Sequence, residues 1–326
     1  MLRKAALFPA PPALLAALLA AAAPAAAQDT TTPPPGAMPE PPVYSLETEP
    51  PDALGGAGAV IRAYKDSDAW FGENRDHETL LALGFVPGLD YFIHPLADLA
   101  NPIPTGTTVV FLSSNGQGLP GAVVAQNAPA AQANMEAFVR AGGVLIIDMG
   151  DNVADGGFLA PGSTGTPDLV FPVPCDDATL APAALGPDAT LGTKDDHPIV
   201  LGPDGLPGTA DDLDDANIDL AFTCHVAHGN LVDGITLPAA ATPLMTALFD
   251  GAPLPIVAEY CLDSGLVILD TITKEFVAHQ GPGGTGVGPT FFLANLFSYA
   301  VSGAWPCVFA DGFEGGDTSA WSATVP

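Results

Sequence analysis

The run AAQANMEAFVRAGGVLIIDMG, residues 130–150, constrains the fold of this chain more than any other part of it. Met135, Phe138 and Val139 fall on one face of a helical repeat, and the helix closes on Gly142 and Gly143, glycines suited to a C-terminal cap. VLIIDMG (144–150) follows at once and is apolar without alternation up to Asp148, as a strand buried on both faces requires. A helix feeding directly into such a strand implies a sheet with helices packed on it.

The same alternation appears on either side. AVIRAY (59–64) reads as a strand, HETLLALGF (77–85) as a short helix ending at Gly84, YFIHPL (91–96) as a brief strand and TTVVFLSS (107–114) as a β-branched strand. Later, PIVAEYC (255–261) and LVILDTI (266–272) form a strand pair around Asp263, Ser264 and Gly265, and TFFLANLFSYAV (290–301) is a final amphipathic helix. Strands alternating with helices give an α/β fold, a mainly parallel sheet flanked by helices. Residues 151–254 break the rhythm and read as a long, loop-rich, Asp-rich insertion.

The ends of the chain have a different character. Residues 1–27 combine the basic MLRK, an apolar ALLAALLAAAA and small residues before Gln28, the arrangement of a secretory signal peptide cleaved near Ala27. The alternative is a membrane anchor, for which the apolar run is short. No later segment offers about 18 uninterrupted apolar residues, so no transmembrane segment is expected in the mature chain. Residues 28–58 are Pro-rich and aperiodic, a linker; 59–303 form the α/β domain, and 304–326 a tail.

The formal net charge is −29, and losing Arg3 and Lys4 with the signal takes it to −31. Such a surface repels phosphate backbones and anionic lipid, so nucleic acid is not an expected partner; an extracellular or surface ligand is. Cys175, Cys224, Cys261 and Cys307 are an even set in an exported chain, which favours two disulfides among three possible connectivities. The favoured pairing is Cys175–Cys224 across the Asp-rich segment and Cys261–Cys307 between a strand and the tail. No pair is spaced CxxC, which leaves a zinc knuckle without support.

NMEAFVRAGGVLIIDMGDN, DDHPIVLG, PIVAEYCLDSGLVILDTITKEF and FFLANLFSYAV together resemble the class I glutamine amidotransferase-like fold, in its non-catalytic and trehalose-utilisation-type branches. That resemblance implies a flavodoxin-like sheet and covers the chain from residue 59 to 301, most poorly in the insertion. Active members hold a cysteine on a tight turn after the buried strand; here Asp148 occupies that place, with Gly150 at the following glycine. A carboxylate cannot perform thiolate chemistry. The family's late His–Glu pair is also missing, since His279 lacks the HxE spacing. The resemblance therefore implies a domain without glutaminase activity. Asp148 and Asp151 still lie where open α/β sheets bind ligands, beside the SSNGQ turn (113–117), or they simply cap a turn.

Residues 186–212 contain GPDxxxGTxDD twice, 16 positions apart. Asp188, Asp195 and Asp196 belong to the first unit; Asp204, Asp211 and Asp212 to the second, which Asp214 and Asp215 extend. Clustered aspartates supply the oxygens calcium needs, and calcium would relieve their repulsion. The plain alternative is a solvated acidic loop rich in turn residues. No EF-hand string occurs.

His225 and His228 in CHVAHGN have an HxxH spacing that could hold a metal, but HExxH is absent. No GxSxG serine nucleophile occurs, and Ser113 and Ser114 sit in a polar turn. The closing CVFADGFEGGDTSAWSATVP resembles the DGFESGDTSAWS-type tails of exported bacterial proteins, differing at Gly315. The sequence thus leads to an exported, non-catalytic domain with a binding or structural role, with calcium as its candidate cofactor. The rival is an extracellular hydrolase using Asp148 and Asp151, or a metal held by His225 and His228.

Overall fold

The structure is a computed structural model, which describes residues 58–66, 75–113, 122–149, 157–169, 175–202, 204–207, 212–213, 229–272, 287–303, 305 and 307. In chain order its elements begin with β1 (Ile61–Tyr64), α1 (Arg75–Ala82), β2 (Tyr91–His94), a 3-10 turn (Leu96–Ala100) and β3 (Val109–Leu112). Next come α2 (Ala122–Asn127), α3 (Pro129–Arg140), β4 (Val144–Asp148), β5 (Thr164–Gly165), β6 (Cys175–Leu180) and α4 (Pro198–Leu201). The chain then forms β7 (Ile235–Thr236), β8 (Thr242–Phe249), β9 (Ala252–Leu262), β10 (Gly265–Asp270) and α5 (Val287–Ser302).

Among the described residues, eight strands make one sheet in the order β2-β1-β3-β4-β10-β9-β8-β6. The first five run parallel and the last three antiparallel. The fold is therefore mixed α/β, with a large, mainly parallel sheet between helices. β3, β4 and β10 are buried along their whole length, as their unbroken apolar sequences require. Ile61, Phe111, Ile146 and Ile268 pack under α1, α4 and α5, while Tyr64, Leu112, Ile147 and Leu269 pack under α3 and the 3-10 turn. Successive side chains of one strand thus feed two cores.

α3 begins with Pro129 at its first turn, where a missing N–H costs nothing, and ends on Arg140, whose charge suits the helix C-terminus. Ala131, Met135 and Val139 form its buried stripe. Phe138 lies instead over Gly143, where a Cβ would collide with its ring. Gly265 permits an equally close approach, because a Cβ there would strike the Val139 and Gly143 carbonyls. β9 returns to β10 through Asp263 at φ 54°, and Arg140 bonds the Asp263 carboxylate at 2.9 Å across that turn. Among the described residues no helix is long and apolar enough to cross a membrane.

The stretch expected to be loop-rich contributes more regular structure than its sequence announces. TPLMTALF (242–249) and CDDATL (175–180) become β8 and β6, extending the sheet beyond β9, and β5 pairs with β7 in a small second sheet. Proline and alanine dilute the period-2 signal in β8, which moreover shifts register against β9 at two points. β6 is an edge strand carrying two aspartates, a composition that reads as loop but is normal at a sheet edge. Cys261 on β9 is joined to Cys307 by a disulfide, the second of the two expected pairings. Cys224 of the other pair lies outside the described residues.

Candidate functional site

Strand register brings a polar row to the carboxyl ends of four parallel strands. Tyr64, Leu112, Ile147 and Leu269 stand side by side across β1, β3, β4 and β10. The next residue on each strand is polar: Lys65, Ser113, Asp148 and Asp270, all buried. Asp148 and Asp270 are direct register partners and both are 0% exposed. Adjacent strands lie about 4.8 Å apart, which places two carboxyl groups at neighbouring positions in the interior. Having the strand parity of Ile146 and Ile268, both carboxyls belong to the α5 side of the sheet. The Met149 N–H donates to the Asp270 carbonyl at 2.9 Å, and the Ile272 N–H to Asp270 Oδ1 at 3.3 Å.

At the β1 end of the row, Lys65 Nζ donates to Asp76 Oδ1 at 2.8 Å, with both side chains nearly inaccessible. This ion pair ties the end of β1 to the first turn of α1. Asp76 Oδ1 also accepts the His77 N–H, while Asp76 Oδ2 has no hydrogen-bond partner among the described residues. His77 is half-buried, and its Nδ1 meets the Tyr91 hydroxyl.

A second polar group lies one strand further along the same face. His197 Nε2 is 3.1 Å from Glu259 Oε1, and the Tyr299 hydroxyl donates to Glu259 Oε2 at 2.8 Å. The Ile199 N–H donates to His197 Nδ1 at 3.3 Å, which leaves Nε2 to carry the proton and donate it to Glu259. His197 thereby caps α4, Glu259 comes from β9, and Tyr299 from α5, whose ring meets the imidazole edge-on at 4.6 Å. Burial, reinforced by the neighbouring Glu259 charge, holds the Tyr299 phenol above its usual pKa. Both imidazole nitrogens are engaged, and the trio fastens three elements together. No sequence spacing announced it: His197 and Glu259 are 62 positions apart. The one available signal was an acid inside the apolar run PIVAEYC.

The first Asp-rich unit uses its carboxylates on its own backbone. Asp196 Oδ2 accepts the Gly192 and Thr193 N–H groups at 2.7 and 3.0 Å, and Asp195 Oδ2 accepts the Asp188 N–H at 3.0 Å. Asp188 Oδ1 accepts the Thr190 N–H at 2.7 Å. The Thr193 hydroxyl and the Asp188 N–H hold the Asp195 carboxyl below its usual pKa. In the second unit, Asp204 Oδ1 accepts the Leu206 N–H at 2.7 Å and Asp212 is buried. Among the described residues, no three acids, histidines or cysteines gather at a distance that could hold a metal ion. Asp151, Asp211, Asp214, Asp215, His225, His228 and His279 lie outside the described residues, as do the signal segment, the linker through residue 57 and the tail from residue 308.

No family model matches the chain, and no curated protein matches it. Among solved structures it is similar to a cytoplasmic protein from Salmonella typhimurium, at 12% identity and a TM-score of 0.40 over 74% of this chain and 97% of that one. It is also similar to a β-galactosidase from Bacillus circulans sp. alkalophilus, at 10% identity and a TM-score of 0.36 over 74% of this chain and 30% of that one. An exo-β-1,4-mannosidase from Opitutaceae bacterium strain TAV5 gives 14% identity and a TM-score of 0.39, over 74% of this chain and 36% of the mannosidase. The chain thus spans about a third of the length of either glycosidase, and likeness at this level extends to neither activity nor substrate.

Proposed function

We propose that this chain is an exported, non-catalytic domain of the glutamine amidotransferase-like type, with a binding or structural role outside the cytoplasm. The observation that carries the reading is Asp148. It stands inaccessible at the end of β4, where the resembled enzymes hold a thiol, and Asp270 stands beside it in register. A catalytic group must touch its substrate, and a fully buried carboxyl in a strand pair supports the sheet instead. The parallel order β2-β1-β3-β4-β10 supports the flavodoxin-like assignment, whose hallmark is this 2-1-3-4-5 arrangement. The Cys261–Cys307 disulfide supports export, because such bonds persist in oxidising compartments. Calcium is proposed to order the Asp-rich segment; Asp196 Oδ1, buried and without a hydrogen-bond partner among the described residues, favours it.

One observation favours the hydrolase reading: paired carboxyls at the ends of adjacent strands are the raw material of acid–base chemistry. The exported chain, purified from the extracytoplasmic fraction, tests both. The expected mass begins at Gln28 with Cys261 and Cys307 linked, and excess calcium raises the melting midpoint. A chain retained with its leader and reduced thiols overturns export, and an unmoved midpoint overturns the calcium role. Turnover that depends on Asp148 would replace the non-catalytic reading with the hydrolase.

A further inference from the structure

At the β2 edge, on the face away from α5, two register pairs make a compact group: Arg62 beside Phe92, and Tyr64 beside His94. The Arg62 guanidinium lies 4.5 Å from the centre of the Phe92 ring. Its Nε donates to Thr107 Oγ1 at 2.9 Å, and its Nη1 to His94 Nε2 at 2.7 Å. The Thr107 hydroxyl spends its own proton on the Pro104 carbonyl, so towards Arg62 it can only accept. His94 stacks on Tyr64 at 5.2 Å, which steadies the imidazole that receives the guanidinium.

Both partners of Arg62 are neutral acceptors. Among the described residues no carboxylate lies within ion-pair distance of it, in a chain with 37 acids and 8 lysines and arginines. Arg140, by contrast, holds both Glu136 and Asp263. A guanidinium has five N–H donors, of which two are engaged here, and Arg62, Phe92 and His94 are each half-buried and approachable. The ring beneath and the two hydrogen bonds fix the plane of the fork, and its other three N–H donors have no hydrogen-bond partner among the described residues.

We propose that Arg62, seated on Phe92 and anchored by Thr107 and His94, is a binding site for the carboxylate of an anionic ligand. A carboxylate matches the planar fork with two parallel hydrogen bonds, and the aromatic neighbours reduce competition from water. The other titratable groups facing His94 are Tyr64 on β1 and Asp98 on the 3-10 turn, whose Oδ2 is 3.7 Å from His94 Nδ1. Asp98 opposes a second negative charge, so binding is weak, with a dissociation constant on the order of 1 mM.

His94 reports occupancy. Burial, and next the Arg62 charge, hold its pKa below the usual value, and a bound anion offsets the second of these. The test is a heteronuclear NMR titration of the full mature chain with glutarate, neutral glutaramide and inorganic phosphate. Glutarate should shift the His94 ring signals saturably and raise the His94 titration midpoint, whereas glutaramide should do neither. Arg62→Gln should abolish the response. Arg62→Lys, which keeps the stem and the charge, should weaken glutarate about tenfold because the fork is lost. Absence of a saturable shift in the wild-type chain, or an unchanged response in folded Arg62→Gln, overturns the site. Phosphate binding more tightly than glutarate overturns the carboxylate assignment.

Discussion

Replacing Tyr299 by Phe removes one hydroxyl from the centre of the fold and leaves the ring against His197 in place. The lost hydrogen bond is 2.8 Å long, buried, and made to the carboxylate of Glu259. Hydrogen bonds to charged groups are worth about 1.5–3 kcal/mol, so Tyr299→Phe should destabilise the domain by about 2 kcal/mol. For a domain of this size that lowers the melting midpoint by roughly 4–8 °C. Glu259→Leu should cost more, about 3–5 kcal/mol, because it strands both the Tyr299 hydroxyl and the His197 Nε2 proton in the interior. The double variant should then cost clearly less than the two losses added, since each single change already breaks the shared contact. Urea unfolding of the four proteins, followed by circular dichroism, gives all the numbers needed. If Tyr299→Phe lies within about 0.5 kcal/mol of wild type, or the two losses simply add, the trio is not the fastening described.

Alkaline pH should unfold the domain early. Burial holds Tyr260 and Tyr299 above the ordinary phenol value of 10.0, so their contribution is complete below that pH and is lost as pH rises past it towards their folded values. Each should remove about 1.4 kcal/mol per pH unit above about pH 10, and Tyr299→Phe should reduce the slope of pH-dependent unfolding by about that amount. Replacing both Cys261 and Cys307 by Ser opens a cross-link between residues 46 apart, which should cost roughly 4 kcal/mol in denaturant titrations. Gly265→Ala should lower stability by at least about 1–3 kcal/mol in the same assay, because its Cβ would meet the Val139 and Gly143 carbonyls and α3 would have to move away from β10.

The parallel half of the sheet was legible because burial on both faces leaves an unmistakable mark. VVFL, VLIID and GLVILD are apolar runs too short for helices, and all three are central strands. The antiparallel half was hidden: β8 and β6 contain Pro243, alanines and aspartates, and what makes them strands is pairing with β9 and with each other. The same division holds for the candidate site. Asp148 could be found as the acid that ends a buried run, but its pairing with Asp270 depends on register across 122 positions, which local pattern does not encode. His197, Glu259 and Tyr299 converge from a turn, a strand and a helix, and only the packing of α4 and α5 onto one face brings them together. The duplicated aspartates carry two signals at once. Their faithful spacing suggested a cation, while in the first unit the repeated residues also serve as turn-closing acceptors.

The role of Asp148 is tested most directly by turnover. The mature, disulfide-linked chain and its Asp148→Asn variant should be compared on glutamine and on amide, ester and glycoside substrates, with melting curves run alongside. A carboxyl that supports the sheet predicts no turnover by either protein above the uncatalysed rate, and a lower melting midpoint for the variant. Hydrolysis by the wild-type chain that vanishes in a variant of unchanged stability would contradict it.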